Sequence, residues 1–79
     1  MYINITVDLA NYNQDALDLR ISNRQPVKQL IRTVWTIAGI HEAPREGYWV
    51  RVVNKGMMIR GFDVLHEMKI TDGDKLLVL

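Results

Sequence analysis

The chain opens on a strict alternation, with Ile3, Ile5, Val7 and Leu9 on one side of the pattern and Asn4, Thr6 and Asp8 on the other. This is the period of a strand half buried in a sheet. Asn11-Tyr12-Asn13-Gln14-Asp15 interrupts it with two asparagines, which tolerate left-handed backbone. Leu17, Leu19 and Ile21 then resume the alternation against Asp18 and Arg20, so the two segments predict a β-hairpin.

The period next changes from two to 3.6. Val27, Leu30, Ile31, Val34 and Ala38 form one apolar stripe, leaving Lys28, Gln29 and Arg32 on a wet face. Pro26 suits the first helical position, where its missing amide hydrogen is not needed. Gln25 would cap poorly, and Ser22 and Asn23 are both open as alternatives. Gly39 can take the left-handed conformation that ends a helix, with Ile40 folding back on the last turn. Trp35 lies one position from the stripe, where it could fill the core edge or stand exposed beside Arg32; a small core favours filling.

After the polar loop His41–Gly47, Tyr48-Trp49-Val50-Arg51-Val52-Val53 returns to strand composition. Asn54-Lys55-Gly56 marks a turn and Met57-Met58-Ile59 a short strand, giving a second hairpin. Gly61 to Lys69 has no clean period and reads as an irregular connection with room for one short helical turn. Thr71-Asp72-Gly73-Asp74 is a tight turn, and the apolar run Leu76-Leu77-Val78-Leu79 fits a strand flanked on both sides. One helix across a sheet in this order predicts an α+β, β-grasp (ubiquitin-like) arrangement: a mixed five-stranded sheet with the helix on one face and the first and last strands adjacent at its centre.

Composition narrows function more than fold. At 79 residues, 48% hydrophobic and 24% charged, the chain is sized for a single domain spanning residues 1–79. Such a chain buries only about 60% of its unfolded surface, so little is left for a deep catalytic pocket. With no cysteine, disulfides, thiolate zinc sites, iron–sulfur ligation and cysteine nucleophiles are excluded. Ten basic against nine acidic residues, spread along the chain, make neither nucleic acid nor an anionic membrane an expected partner. The N-terminus lacks the pattern of a secretory signal, and no run approaches the ~20 apolar residues of a membrane span. The expectation is a cytoplasmic protein without direct membrane insertion.

Several segments together resemble the YukD/EsaB family, small bacterial ubiquitin-like proteins associated with type VII secretion systems, and most closely its Bacillus-type members. They are Met1-Tyr2-Ile3-Asn4-Ile5-Thr6-Val7-Asp8-Leu9, Asp18-Leu19-Arg20, Pro26-Val27-Lys28, Pro44-Arg45-Glu46-Gly47, Trp49-Val50-Arg51-Val52-Val53-Asn54-Lys55 and Ile70-Thr71-Asp72-Gly73-Asp74. None is diagnostic alone; in this order, over essentially the whole chain, they are specific. The resemblance implies an accessory or regulatory component of a machine that exports small helical proteins, acting by binding a protein subunit of that machinery, and recruited to the inner face of the membrane by such a partner. It implies no chemistry and carries over no site residues.

Candidate sites therefore come from the residues. Conjugating ubiquitin-like proteins and sulfur carriers need a flexible tail ending in Gly-Gly; Val78-Leu79 stands there instead, so conjugation is not expected. His41 and His66 lie in different loops without ligand spacing. Thr71–Asp74 lacks the ligand series of a calcium loop, and Gly56–Gly61 has P-loop glycine spacing without its Lys and Ser/Thr. Ser22 is the lone serine and has no base beside it. No catalytic residue, metal or cofactor is expected. In the third strand, if Val50 and Val52 face the helix, Trp49, Arg51 and Val53 share the open face, and Trp and Arg are enriched at binding hot spots. These three, with Arg45 in the preceding loop, are the candidate protein-binding residues. The opposing reading packs Trp49 on its sheet neighbours and pairs Arg51 with a cross-strand carboxylate. The alternative function is nucleic-acid binding, with Trp49 stacking a base and Arg20, Arg51, Lys55 and Arg60 tracking phosphates.

Overall fold

A computed structural model describes residues 1–79. The first alternating segment forms strand β1 (Tyr2–Asp8) and pairs antiparallel with β2 (Leu17–Ser22). The link between them contains a 3-10 turn at Ala10–Tyr12 closed by Asn13 in the left-handed region. Helix α1 (Val27–Ala38) buries Val27, Leu30, Ile31, Val34 and Trp35. Strands β3 (Val50–Val52) and β4 (Met57–Ile59) form the second hairpin. The last strand, β5 (Lys75–Val78), runs parallel to β1 and antiparallel to β3, giving the order β2-β1-β5-β3-β4. The sequence expectation of a mixed five-stranded sheet under one helix, with the first and last strands adjacent, holds.

Alternation divides every strand between two environments. Ile3, Ile5, Val7, Val50, Val52, Ile59, Leu76 and Val78 point under α1 and are buried. Leu65 and Ile70, from the irregular connection, close the end of the same core. That connection is built of turns, and the 3.1 Å bond from the Met68 N–H to the Val64 carbonyl is its one α-helical (i to i−4) bond.

The helix starts differently from the sequence expectation. Pro26 is the N-cap, extended at ψ 158°, and neither Ser22 nor Asn23 caps the helix by its side chain. The Val27 and Lys28 N–H groups instead donate to the carbonyls of Asp63 and Gly61, each at 2.9 Å. A remote segment thus satisfies donors that a capping side chain would otherwise serve. At the other end Gly39 is left-handed, and the Ile40 N–H donates to the Trp35 carbonyl at 3.2 Å, as expected of a glycine-terminated helix.

The third strand is shorter than its composition suggests. Tyr48 sits at φ 51°, in a turn whose N–H donates to the Arg45 carbonyl, so pairing with β4 begins only at Val50. At the far end Val53–Lys55 winds into a 3-10 turn. This turn is held by Asp74, the one charged side chain that is buried. Its carboxylate accepts from Asn54 Nδ2 at 2.7 Å and from the Thr71 N–H at 2.9 Å, and pairs with Lys55 Nζ at 2.8 Å. Asn54 Oδ1 in turn accepts from the Lys75 N–H at 2.9 Å. The turn after β3 is thereby fastened to the start of β5.

Burial raises the Asp74 pKa, but the hydrogen bonds from Lys55, the Thr71 N–H and Asn54, with the Lys55 charge, outweigh it and hold the carboxyl below its ordinary 3.8. A carboxyl whose folded pKa is depressed stabilises the fold fully above its unfolded value and ceases to as pH falls through the folded one. Asp74→Asn should therefore cost about 2 kcal/mol near pH 7, roughly 8–16 °C in Tm for a chain this size. The gap from the parent should close as pH is lowered below about 4, a comparison that thermal melts across pH would make.

Candidate functional site

Burying Val50 and Val52 turns their neighbours onto the face of the sheet that α1 leaves open. Arg51 lies across from Met58 on β4 and Leu77 on β5. One step further along the same registers, Trp49 lies across from Arg60 and from Leu79, whose N–H donates to the Trp49 carbonyl at 3.0 Å. Trp49 is 39% exposed, Met58 41%, Val53 47% and Phe62 69%. Most of the exposed large apolar side chains thus lie along β3, β4 and the residues flanking them; Met1 and Tyr2 at the start of β1 and Ile37 on α1 are the others.

Arg60 and Lys28 are held against aromatic rings. The Arg60 guanidinium carbon lies 5.3 Å from the Trp49 ring centroid and 4.4 Å from that of Phe62. Lys28, in the first turn of α1, places Nζ 5.4 Å from the Tyr48 ring centroid. Contacts of this kind are worth about 0.5–1 kcal/mol at exposed sites, enough to bias a rotamer without carrying the fold. Tyr48 in turn lies against Gly61, where an added Cβ would come within 3.0 Å of the Tyr48 Cβ, so a bare backbone permits this approach. Together with Gly47, these residues line an open depression of about 490 Å³.

No carboxylate forms an ion pair with Arg51, Arg60 or Lys28. The two ion pairs of the protein are Lys55–Asp74 at 2.8 Å and Lys75–Asp8 at 3.8 Å. Arg51 has Met58 and Leu77 across from it instead of the cross-strand acid weighed above. Arg45 is exposed in the loop before β3 but does not line the depression; its N–H donates to the Tyr12 hydroxyl at 3.1 Å. Val53 is exposed in the turn after β3. The cations of the nucleic-acid reading are not gathered: Arg20, on β2 at the opposite edge of the sheet from β4, lies over the ring of Tyr2, and Lys55 is engaged by Asp74. No three His, Cys, Asp or Glu side chains come together as metal ligands.

Residues 2–78 match the family described as WXG100 protein secretion system (Wss), protein YukD. The chain belongs to the YukD family. It is 46% identical to the ESX secretion system protein YukD of Bacillus subtilis (strain 168), over the full length of both chains. Among solved structures, the YukD-family chain resembles a Caldiarchaeum subterraneum ubiquitin, with a TM-score of 0.73 at 18% identity over 99% of this chain and 91% of that one. It also resembles a structure described as molecular mimicry of SUMO that promotes DNA repair, with a TM-score of 0.77 at 22% identity over 99% and 90% of the two chains. These likenesses show the ubiquitin-like fold. Family and fold together make the protein a ubiquitin-like accessory protein of a WXG100/ESX secretion system.

Two parts of this YukD-family surface escape a reading by alternation alone. Arg60 and Phe62 lie beyond β4, and only the hairpin register, Val50 opposite Ile59, brings them beside Trp49. Lys28 belongs to another element altogether. Tyr12, read from sequence as part of a turn, is instead buried edge-on to Trp35 at 4.7 Å and donates its hydroxyl to the Leu79 oxygen at 2.8 Å. The two tryptophans are consequently unlike. Trp35, with its Nε1–H bonded to the Glu42 carbonyl at 2.9 Å, is core. Trp35→Ala should cost about 3–5 kcal/mol in denaturant unfolding and Trp49→Ala about 1 kcal/mol or less.

Proposed function

We propose that this chain is a noncatalytic binding module that works in the cytoplasm and docks on a protein subunit of the WXG100/ESX secretion machinery. The contact face is Trp49, Arg51 and Val53, with Arg45 at its margin, and the partner supplies any recruitment to the membrane. The observation that carries this reading is the placement of Arg51, an unpaired guanidinium between Met58 and Leu77 on a sheet face left open to solvent. Exposed apolar surface around an unpaired arginine fits a protein partner, because desolvation on docking strengthens the charge contacts that apolar neighbours surround. No helix is long and apolar enough to cross a membrane.

The last strand is tied into the frame of this face: the Leu79 N–H donates to the Trp49 carbonyl, the Leu79 oxygen accepts from the Tyr12 hydroxyl, and the Val78 carbonyl accepts from Asn11 Nδ2 at 3.0 Å. A sheet held in this way supports a preformed binding surface.

Arg51→Glu should abolish co-purification of the machinery subunit from the native host while moving Tm by less than about 3 °C, since an exposed, unpaired side chain contributes little to folding. Equal recovery of the subunit with parent and variant would remove Arg51 from the contact face.

A further inference from the structure

We infer that the segment received on this face is acidic, its carboxylates taken by Arg60 and Lys28 at the end of the sheet beside β4. The inference rests on the docking reading above and names the chemistry of the partner.

Charge complementarity is the first reason. Arg51, Arg60 and Lys28 form no ion pair, while both lysines that do, Lys55 and Lys75, lie outside the depression. Asp63, the carboxylate nearest in sequence to Arg60, is turned back onto the Arg60 main chain, where its Oδ2 accepts the backbone N–H at 2.7 Å. The Arg60 guanidinium lies over two aromatic rings without a carboxylate partner, and a guanidinium fork matches a carboxylate in bidentate geometry. Trp49 and Phe62 order the group that must bind, so less rotamer entropy is lost on contact.

The backbone at this end of the fold does not compete for the anion. The N–H groups of Val27 and Lys28 are already bonded to Asp63 and Gly61, so the first turn of α1 offers side-chain charge and no free donors. Recognition therefore depends on Lys28 and Arg60 themselves. The exposed rings of Trp49 and Phe62 beside them call for an aromatic or aliphatic residue flanked by the acids. A phosphate backbone would need a continuous track of cations, which the separation of Arg20 and the engagement of Lys55 remove.

The two indole N–H resonances provide the test, Trp49 reporting the site and Trp35, bonded to Glu42, reporting the fold. The isotopically labelled full chain is titrated with a ten-residue peptide alternating glutamate and phenylalanine, with the same peptide carrying glutamine for glutamate, and with a ten-nucleotide thymidine oligomer. The acidic peptide should shift the Trp49 indole and the Gly61 and Phe62 amides saturably, with Kd of about 1 mM or tighter. The glutamine peptide, and the variants Arg60→Gln and Lys28→Gln, should each weaken binding by about tenfold while the Trp35 resonance stays in place. No shift at about 5 mM acidic peptide, or equal shifts with the glutamine peptide, would overturn the inference. Stronger binding of the oligonucleotide would replace a protein segment with nucleic acid. Peptide binding at Trp49 together with unchanged subunit recovery in Arg51→Glu would overturn the docking contact and leave the acid-binding site standing; the reverse pair of results would do the opposite.

Discussion

The arrangement depends on the insertion of β5 between β1 and β3. The strand must pair in parallel on one side and antiparallel on the other, and the elements it joins, β1 and β3, lie far apart in the chain. Asp74 makes the insertion specific. Its carboxylate collects Asn54, Lys55 and the Thr71 N–H, and its own carbonyl accepts the Thr6 N–H at 3.0 Å, so one residue touches the turn after β3 and the strand β1 together. A buried carboxylate with every oxygen engaged discriminates against other registers, because a slip by one residue would leave a charge unpaired in the interior. The turn beside it reinforces the same register, with the Asn4 N–H donating to Asp72 Oδ1 at 2.7 Å and the Gly73 N–H to the Asn4 carbonyl at 2.8 Å.

Fixing β5 also fixes what faces outward. A single helix covers one face of the sheet, and its core takes alternate residues from each strand. The intervening residues must stand on the other face, where Leu77, Arg51 and Met58 lie side by side across three strands. The exposed surface is therefore determined by the same pairing that builds the core, and the Trp49–Arg60–Phe62 stack extends it past the end of β4. Exposed side chains of this kind contribute little to stability, which leaves them free to serve contact.

Features set by local periodicity were legible before the structure. The stripe from Val27 to Ala38 gave the helix, Gly39 its end, the two hairpins their order, and the small core the inward placement of Trp35. Features that depend on residues distant in sequence were not. Thr71–Asp74 reads as a plain tight turn until Asn54 and Lys55 are brought to it. Pro26 reads as the first helical residue until the carbonyls of Gly61 and Asp63 arrive to serve the next two N–H groups. Of the surface, alternation gave Trp49 and Arg51 but placed Val53 in a longer strand than forms. It could not supply Arg60, Phe62 or Lys28, whose proximity to Trp49 and Tyr48 follows from hairpin register and from the seating of the helix.

The central claim is that this open face, with the depression at its end that Lys28 borders, meets the secretion machinery, and that the exposed side of α1 around Ile37 does not. A photo-crosslinking residue at position 49 in the native host, compared with one at position 37 on the exposed side of α1, tests it directly. The account predicts that position 49 captures a subunit of the machinery, identified by mass spectrometry, that position 37 does not, and that Arg51→Glu removes the capture. Capture of the subunit from position 37 with none from position 49, in cells where both variants are folded and abundant, would contradict it.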